Sequence, residues 1–229
     1  MTIIELYALV ARERGLEPHE LPVDERRDLA RRGMEIAWPG FELTGESDRP
    51  PEPIELAPYD PAWAERFARW RERLVAALGE APRIEHVGST SVPGLDAKPV
   101  VDIQVSIDDP GNEPSYVPQL ESAGLQLRSR DEEHRFFRPF PDRPREVHVH
   151  VCRTGSGWER EHLLFRDYLL EHPAARDEYA AVKRIAAERW RDDRIAYTEA
   201  KTDLVLDVLE SAEAWAQSSG WSVDRSSRR

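Results

Sequence analysis

The chain predicts an α/β (α+β) fold: a small mixed β-sheet with helices packed on it, then a C-terminal helical segment. Three observations carry that expectation. A β-branched run, Pro99-Val100-Val101-Asp102-Ile103-Gln104-Val105, follows a turn of small residues and stops near Pro110 and Gly111, as strands do. A second strand candidate, Val147 to Val151, alternates valine with histidine. Apolar residues at helical spacing precede the first strands and dominate from Glu159 onward.

The 229 residues suit one domain of ordinary size with an extension. A hydrophobic share of 40% is enough for a core. The net charge of −12 argues against bulk binding to a nucleic-acid backbone or an anionic membrane, since both need clustered cations; a local basic pocket for one nucleotide stays compatible with it. Cys152 is the single cysteine, so no intramolecular disulfide forms. No apolar run reaches the length of a membrane span. The opening MTIIELYALVARERG lacks the leading positive charge and long apolar block of a secretory signal, so a cytoplasmic protein is expected.

Taken in order, residues 1–43 read as an N-terminal helical extension. Ile3, Leu6, Leu9 and Val10 have helical spacing, with Gly15 as a stop. A second helix spans Val23 to Ile36, with Leu29, Met34 and Ile36 apolar, and Trp38 and Phe41 follow as packing residues. The pair serves as an accessory packing element or as the interface of a homodimer. Residues 44–53 have linker composition. The main domain, 54–217, opens with a strand candidate at Ile54-Glu55-Leu56. Asp60-Pro61 then starts a helix carrying Trp63, Phe67, Trp70, Leu74 and Leu78 on its core face. Strands are expected at Arg83 to Val87, Leu125 to Arg128 and Arg135 to Pro139, and a helix from Ser115 to Ala123. The C-terminal helices break at His172-Pro173, and a last one runs from Ile195 to Trp215. Residues 218–229, rich in Ser and Arg, read as a disordered tail.

The chemistry centres on His86 to Val105. Gly88, Ser89 and Thr90 form a turn able to present backbone N–H groups and hydroxyls to a phosphate, or a plain structural turn. Asp102 and Gln104, at i and i+2, aim at one face of the following strand, opposite Val101, Ile103 and Val105. A phosphate cradle beside a carboxylate able to hold Mg²⁺ is the minimal machinery for nucleotide chemistry. Lys98, between the two halves, can neutralise a phosphate oxygen. His148, His150 and Cys152 share one strand face; His-x-His-x-Cys can ligate Zn²⁺, with Glu146 as a candidate fourth ligand, or one histidine can pair with Asp102. Tyr197 and Lys201, at i and i+4, can stack on a base and hold a phosphate, or pin helix to sheet.

Several stretches in order, IELAPYDPAWAERF, HVGSTSVPGLDAKPVVDI, HVHV, FRDYLLEHPAARDEYAAVKRIA and YTEAK, closely resemble the GrpB-like family of the nucleotidyltransferase superfamily. The resemblance runs from about Ile54 to about Ala212 and does not cover the extension. It implies a nucleotidyltransferase-like fold binding a nucleoside triphosphate and a divalent cation, with nucleotidyl transfer to an unknown acceptor. Members of that superfamily carry a Gly-Ser turn, then two carboxylates at i and i+2, and a third on a neighbouring strand. This chain keeps Gly88-Ser89 and Asp102 but has Gln104, His148 and His150 at the other positions. The resemblance makes Asp102 and His150 the catalytic candidates, with Asp102, Gln104, His148 and His150 as metal ligands. Two alternatives stand beside transfer. One is a non-catalytic nucleotide- or partner-binding module linked to coenzyme A metabolism, since similar proteins are joined to dephospho-CoA kinase. The other is a metal-dependent hydrolase built on the His-x-His strand.

Overall fold

The computed structural model describes residues 2–37, 41–44 and 52–226, with the backbone alone from 34 to 37. Trp38 and most of the 44–53 linker lie outside the described residues. The elements are α1 (Ile3–Glu13), α2 (Val23–Ala37), β1 (Glu42–Leu43), α3 (Ala62–Leu78), β2 (Arg83–Val87), β3 (Val101–Ile107), α4 (Val117–Ser122), β4 (Leu125–Arg130), β5 (His134–Pro139), β6 (Val147–Arg153), α5 (Gly157–Glu171), α6 (Pro173–Arg189), α7 (Arg194–Glu199), α8 (Thr202–Ser219) and α9 (Val223–Ser226). The strands form one mixed sheet in the order β1-β4-β5-β6-β3-β2. β3 and β6 run parallel, and the other neighbours run antiparallel. Among the described residues, no helix is long and apolar enough to cross a membrane.

Side-chain alternation divides the two faces of β3 and β6 as expected. Val101, Ile103, Val105, Val147, Val149 and Val151 are fully buried against Trp63, Trp70 and Leu74 of α3 and Leu120 of α4. Burying these apolar groups is the main source of stability for the sheet. The opposite face carries Asp102, Gln104, His148 and His150. The parallel register sets Asp102 against His148 and Gln104 against His150. The C-terminal helices cover that face, and the loop from Val92 to Leu95 packs into a cluster with Leu169, Tyr179 and Val208.

Several expectations are corrected. Residues 54–56 are extended but, among the described residues, pair with no strand; Ala57 bridges to Ala97. The last long helix is two, α7 and α8, because the Ala200 and Lys201 amides turn back onto the Ala196 and Thr198 carbonyls. In α1 the buried phase is Ile3, Tyr7 and Ala11, while Leu9 is 57% exposed. These residues pack on Ala186, Trp190, Ala196 and Tyr197 of the same chain. Arg26 of α2 is buried and pairs with Asp193 at 3.1 Å and Asp192 at 3.0 Å, and Glu199 accepts from the Ile3 amide at 2.6 Å. The extension is therefore packed onto the domain.

The disordered tail is also corrected through residue 226. Gly220, at φ +66°, ends α8 in the left-handed region. Trp221 then folds back, and its Nε1 donates to Asp167 Oδ2 at 2.8 Å. Ser226 is buried and accepts from Arg166 at 2.7 Å. Asp167 is fully buried, and a buried carboxylate requires such donors. Polar composition hides that requirement.

Candidate functional site

The β2–β3 connection is held close to the sheet by one glycine. Gly88 has φ +69°, and a Cβ there would lie 2.5 Å from Asp102 Oδ2. Only glycine permits both that backbone and that approach. Ser89, Thr90 and Ser91 then form a single 3₁₀ turn, with the Ser91 amide donating to the Gly88 carbonyl at 3.2 Å. Thr90 is buried and its hydroxyl meets His86 Nε2 at 3.0 Å, so it supports the turn.

Gly88, Ser89, Thr90, Lys98, Asp102 and His148 line one cavity of about 170 Å³. Its opposite wall is Tyr179 and Lys183 of α6, with Tyr197 and Lys201. Residues more than a hundred positions apart thus meet around one small polar space.

Three of the wall groups are lysines. Lys183 is 2% exposed, and its Nζ donates to the Asp96 carbonyl at 2.6 Å. Burial, then repulsion from Lys201 and Lys98, pulls it down to about 7, with Asp102 opposing. Lys201 is brought to about 8, chiefly by burial and then by Lys98. Lys98 is lowered by burial and by Arg194, again against Asp102. Three partly desolvated ammonium groups facing one carboxylate make a site short of negative charge. Tyr197 is 2% exposed, with Lys201 Nζ 4.1 Å and Lys98 Nζ 5.2 Å from its ring centre. Its face is occupied by cations. The ring thus braces the two lysines at the edge of the cavity.

Asp102 Oδ1 lies 3.1 Å from His148 Nδ1 and 3.8 Å from His150 Nε2. Burial pushes the Asp102 carboxyl up, but hydrogen bonding and attraction from the two imidazoles outweigh it, and the group stays well below the usual carboxylate range. Burial lowers His148. The arrangement is an ionised Asp102 accepting Nδ1–H from a neutral His148. His150 Nδ1 meets His134 Nε2 at 2.9 Å, and His134 Nδ1 is 3.7 Å from Asp131 Oδ2. Burial, then repulsion from neighbouring His150, takes His134 down to about 2, so it is neutral. His134 and His150 thus share one hydrogen bond, and His150 Nε2 faces the Asp102 side. Trp158 stacks on both His134 and His150, at 4.9 and 5.4 Å between ring centres, which fixes their planes.

Asp102, His148 and His150 offer donor atoms all within 4.8 Å of one another. Two nitrogens and one oxygen suit Zn²⁺ or a similar ion better than Mg²⁺, which favours oxygen. Gln104 is fully buried, donates to Ser106 Oγ at 3.3 Å, and does not line the cavity. Its Oε1 has no hydrogen-bond partner among the described residues. The wider zinc set is corrected. Cys152 is buried beside Ser106, its thiol pushed up to about 12 by burial. Glu146 is held by Trp70 Nε1 at 3.1 Å, away from the histidines.

A model of the GrpB protein family matches residues 53–211. The chain belongs to the GrpB family. Relatives in several bacteria agree with this. A UPF0157 protein of Streptomyces coelicolor is 44% identical over 166 residues, covering 72% of this chain and 88% of the relative. A protein of Mycolicibacterium paratuberculosis named dephospho-CoA kinase is 34% identical over 196 residues, or 74% of this chain and 48% of that one. The crystal structure of a conserved GrpB protein from Enterococcus faecalis superposes with a TM-score of 0.62 at 28% identity, covering 70% of this chain and 99% of that one. In GrpB terms, the extension α1–α2 lies outside the matched segment. Lys183 and Tyr179 were the site residues that sequence reasoning did not select. Their only signal was the YAAVK stretch, in which Tyr179 and Lys183 are four apart on one helical face.

Proposed function

We propose that this GrpB protein binds the polyphosphate of a nucleoside triphosphate in the lysine-lined cavity and transfers a nucleotidyl group to an acceptor. The observation that carries this reading is the convergence of Lys98, Lys183 and Lys201 with the Gly88–Thr90 turn and Asp102 on one cavity. Cations around a small polar space are what a phosphate chain needs, and they supply charge neutralisation where the fold's usual carboxylate-bound cations are not provided for. Mg²⁺ does not fit the donor set, which holds a single carboxylate. An ion held by Asp102, His148 and His150 would polarise a phosphoryl oxygen. The chain's own groups do the rest. The lysines orient and neutralise the phosphates.

The single carboxylate also favours a second reading, a binding module without chemistry. The match to about half of a protein named dephospho-CoA kinase supports a link between that module and coenzyme A metabolism. The test is incubation with α-labelled ATP and a metabolite extract, beside thermal-shift titration with ATP and pyrophosphate. Transfer in the wild type and its loss in Asp102→Asn, with pyrophosphate still bound, supports catalysis. Stabilisation by ATP without any transfer supports the module. No stabilisation by either ligand ends both readings.

A further inference from the structure

A second pocket of about 900 Å³ lies on the other side of His150, large enough for a whole small molecule. Its lining is mainly apolar. Ile4 and Phe41 come from the N-terminal extension, Phe136 from β5, and Ile195 and Ala200 from the end of α7. Glu5, Glu199 and Asp203 stand among its polar groups, which disfavours a second polyphosphate. Arg194 also lines it, and its buried Nε has no hydrogen-bond partner among the described residues, a donor awaiting an acceptor atom. The two spaces meet along the chain: Lys201 lines the small cavity, while its neighbours Ala200 and Thr202 line the large one. His148 and His150 divide between them in the same way.

We propose that this pocket holds the acceptor, a neutral or cationic molecule with an apolar ring body and a hydroxyl or amino nucleophile. This rests on the transferase reading and adds its second substrate. The nucleophile's oxygen or nitrogen forms a bond to the α-phosphorus while the bond from that phosphorus to the bridging oxygen breaks. Pyrophosphate leaves, held by the lysines, and the nucleophile's proton passes to solvent water. The extension's part in the wall explains why an acceptor fits better than the nucleotide base. The family segment, 53–211, contains the whole lysine cavity, whereas Ile4, Glu5 and Phe41 lie outside it. What the extension adds is selectivity particular to this chain.

The test uses naphthylethylamine as probe, followed by fluorescence titration on the full chain. Thr198 and Thr202 are exposed residues lining the large pocket, so Thr198→Trp and Thr202→Trp fill it without entering the core. The amine is expected to bind the wild type, to lose about tenfold or more in affinity in each variant, and to stay bound when ATP is added. Thermal stabilisation by pyrophosphate is expected unchanged in both variants, which shows them folded. Absent amine binding, or equal binding in the folded variants, overturns the proposal. Displacement of the amine by ATP also overturns it, by giving the pocket to the base. If pyrophosphate fails to stabilise the wild type while the amine behaves as expected, the phosphate-site reading falls and the apolar pocket stands.

Discussion

Anion binding in the lysine cavity should be strongly coupled to proton uptake. Lys183 sits near 7 and Lys201 near 8 in the free protein. An anion between them favours both ammonium forms, so the bound pKa values rise. The sign follows: binding is strongest below the free pKa values and weakens as pH climbs through them. At pH about 9, only about 1% of Lys183 and about 10% of Lys201 would be protonated, against most of both at pH about 6.5. If a sulfate needs both charges, its affinity falls by about two to three orders of magnitude across that range. Sulfate is the suitable probe because its own charge does not change there. Calorimetry at pH 8 in buffers of different ionisation enthalpy should show about one to two protons taken up per anion bound. Lys183→Met should remove most of the dependence, leaving about tenfold from Lys201. The buried ammonium is itself costly, so the substitution should leave the fold intact. Sulfate affinity independent of pH, with no proton uptake, would refute the placement of these lysines around an anion.

Gly88→Ala should lower stability by about 1–3 kcal/mol for the left-handed backbone alone, and should also push Asp102 off its histidines; thermal melts and zinc titration would show both effects. Zinc should stabilise the wild type near equimolar ratio, whereas His148→Ala and His150→Ala should lose that stabilisation; equal shifts in all three would remove the metal assignment. Deleting residues 218–229 takes away the Trp221 donor to the buried Asp167 and should cost about 2–4 kcal/mol in chemical denaturation, whereas a disordered tail would cost nothing.

Much of this protein is legible in its residues. The alternation in β3 and β6, the aromatic face of α3 and the break at Pro173 follow from local rules, because side-chain period and backbone chemistry act within a few positions. The family motifs pointed to Gly88, Asp102 and His150 as neighbours; the β3–β6 register instead sets His148 opposite Asp102, at 3.1 Å, with His150 at 3.8 Å. Other features depended on distant partners. Whether Trp221 floats or folds is decided by a buried carboxylate more than fifty residues earlier. Glu146 and Cys152, on the histidine strand, were removed from the site by Trp70 and Ser106.

By itself, then, the sequence determined the layers, the family and the location of the site on one sheet face. The tertiary structure decided what surrounds Asp102. Periodicity says which way a side chain points, but not what another helix brings against it. Lys183 became a site residue because α6 crosses the Gly88 turn, and the extension became a pocket wall because Tyr7 and Arg26 dock on Trp190 and Asp193. Packing between remote elements sets both distance and desolvation, and those two quantities turn ordinary lysines into a phosphate cavity.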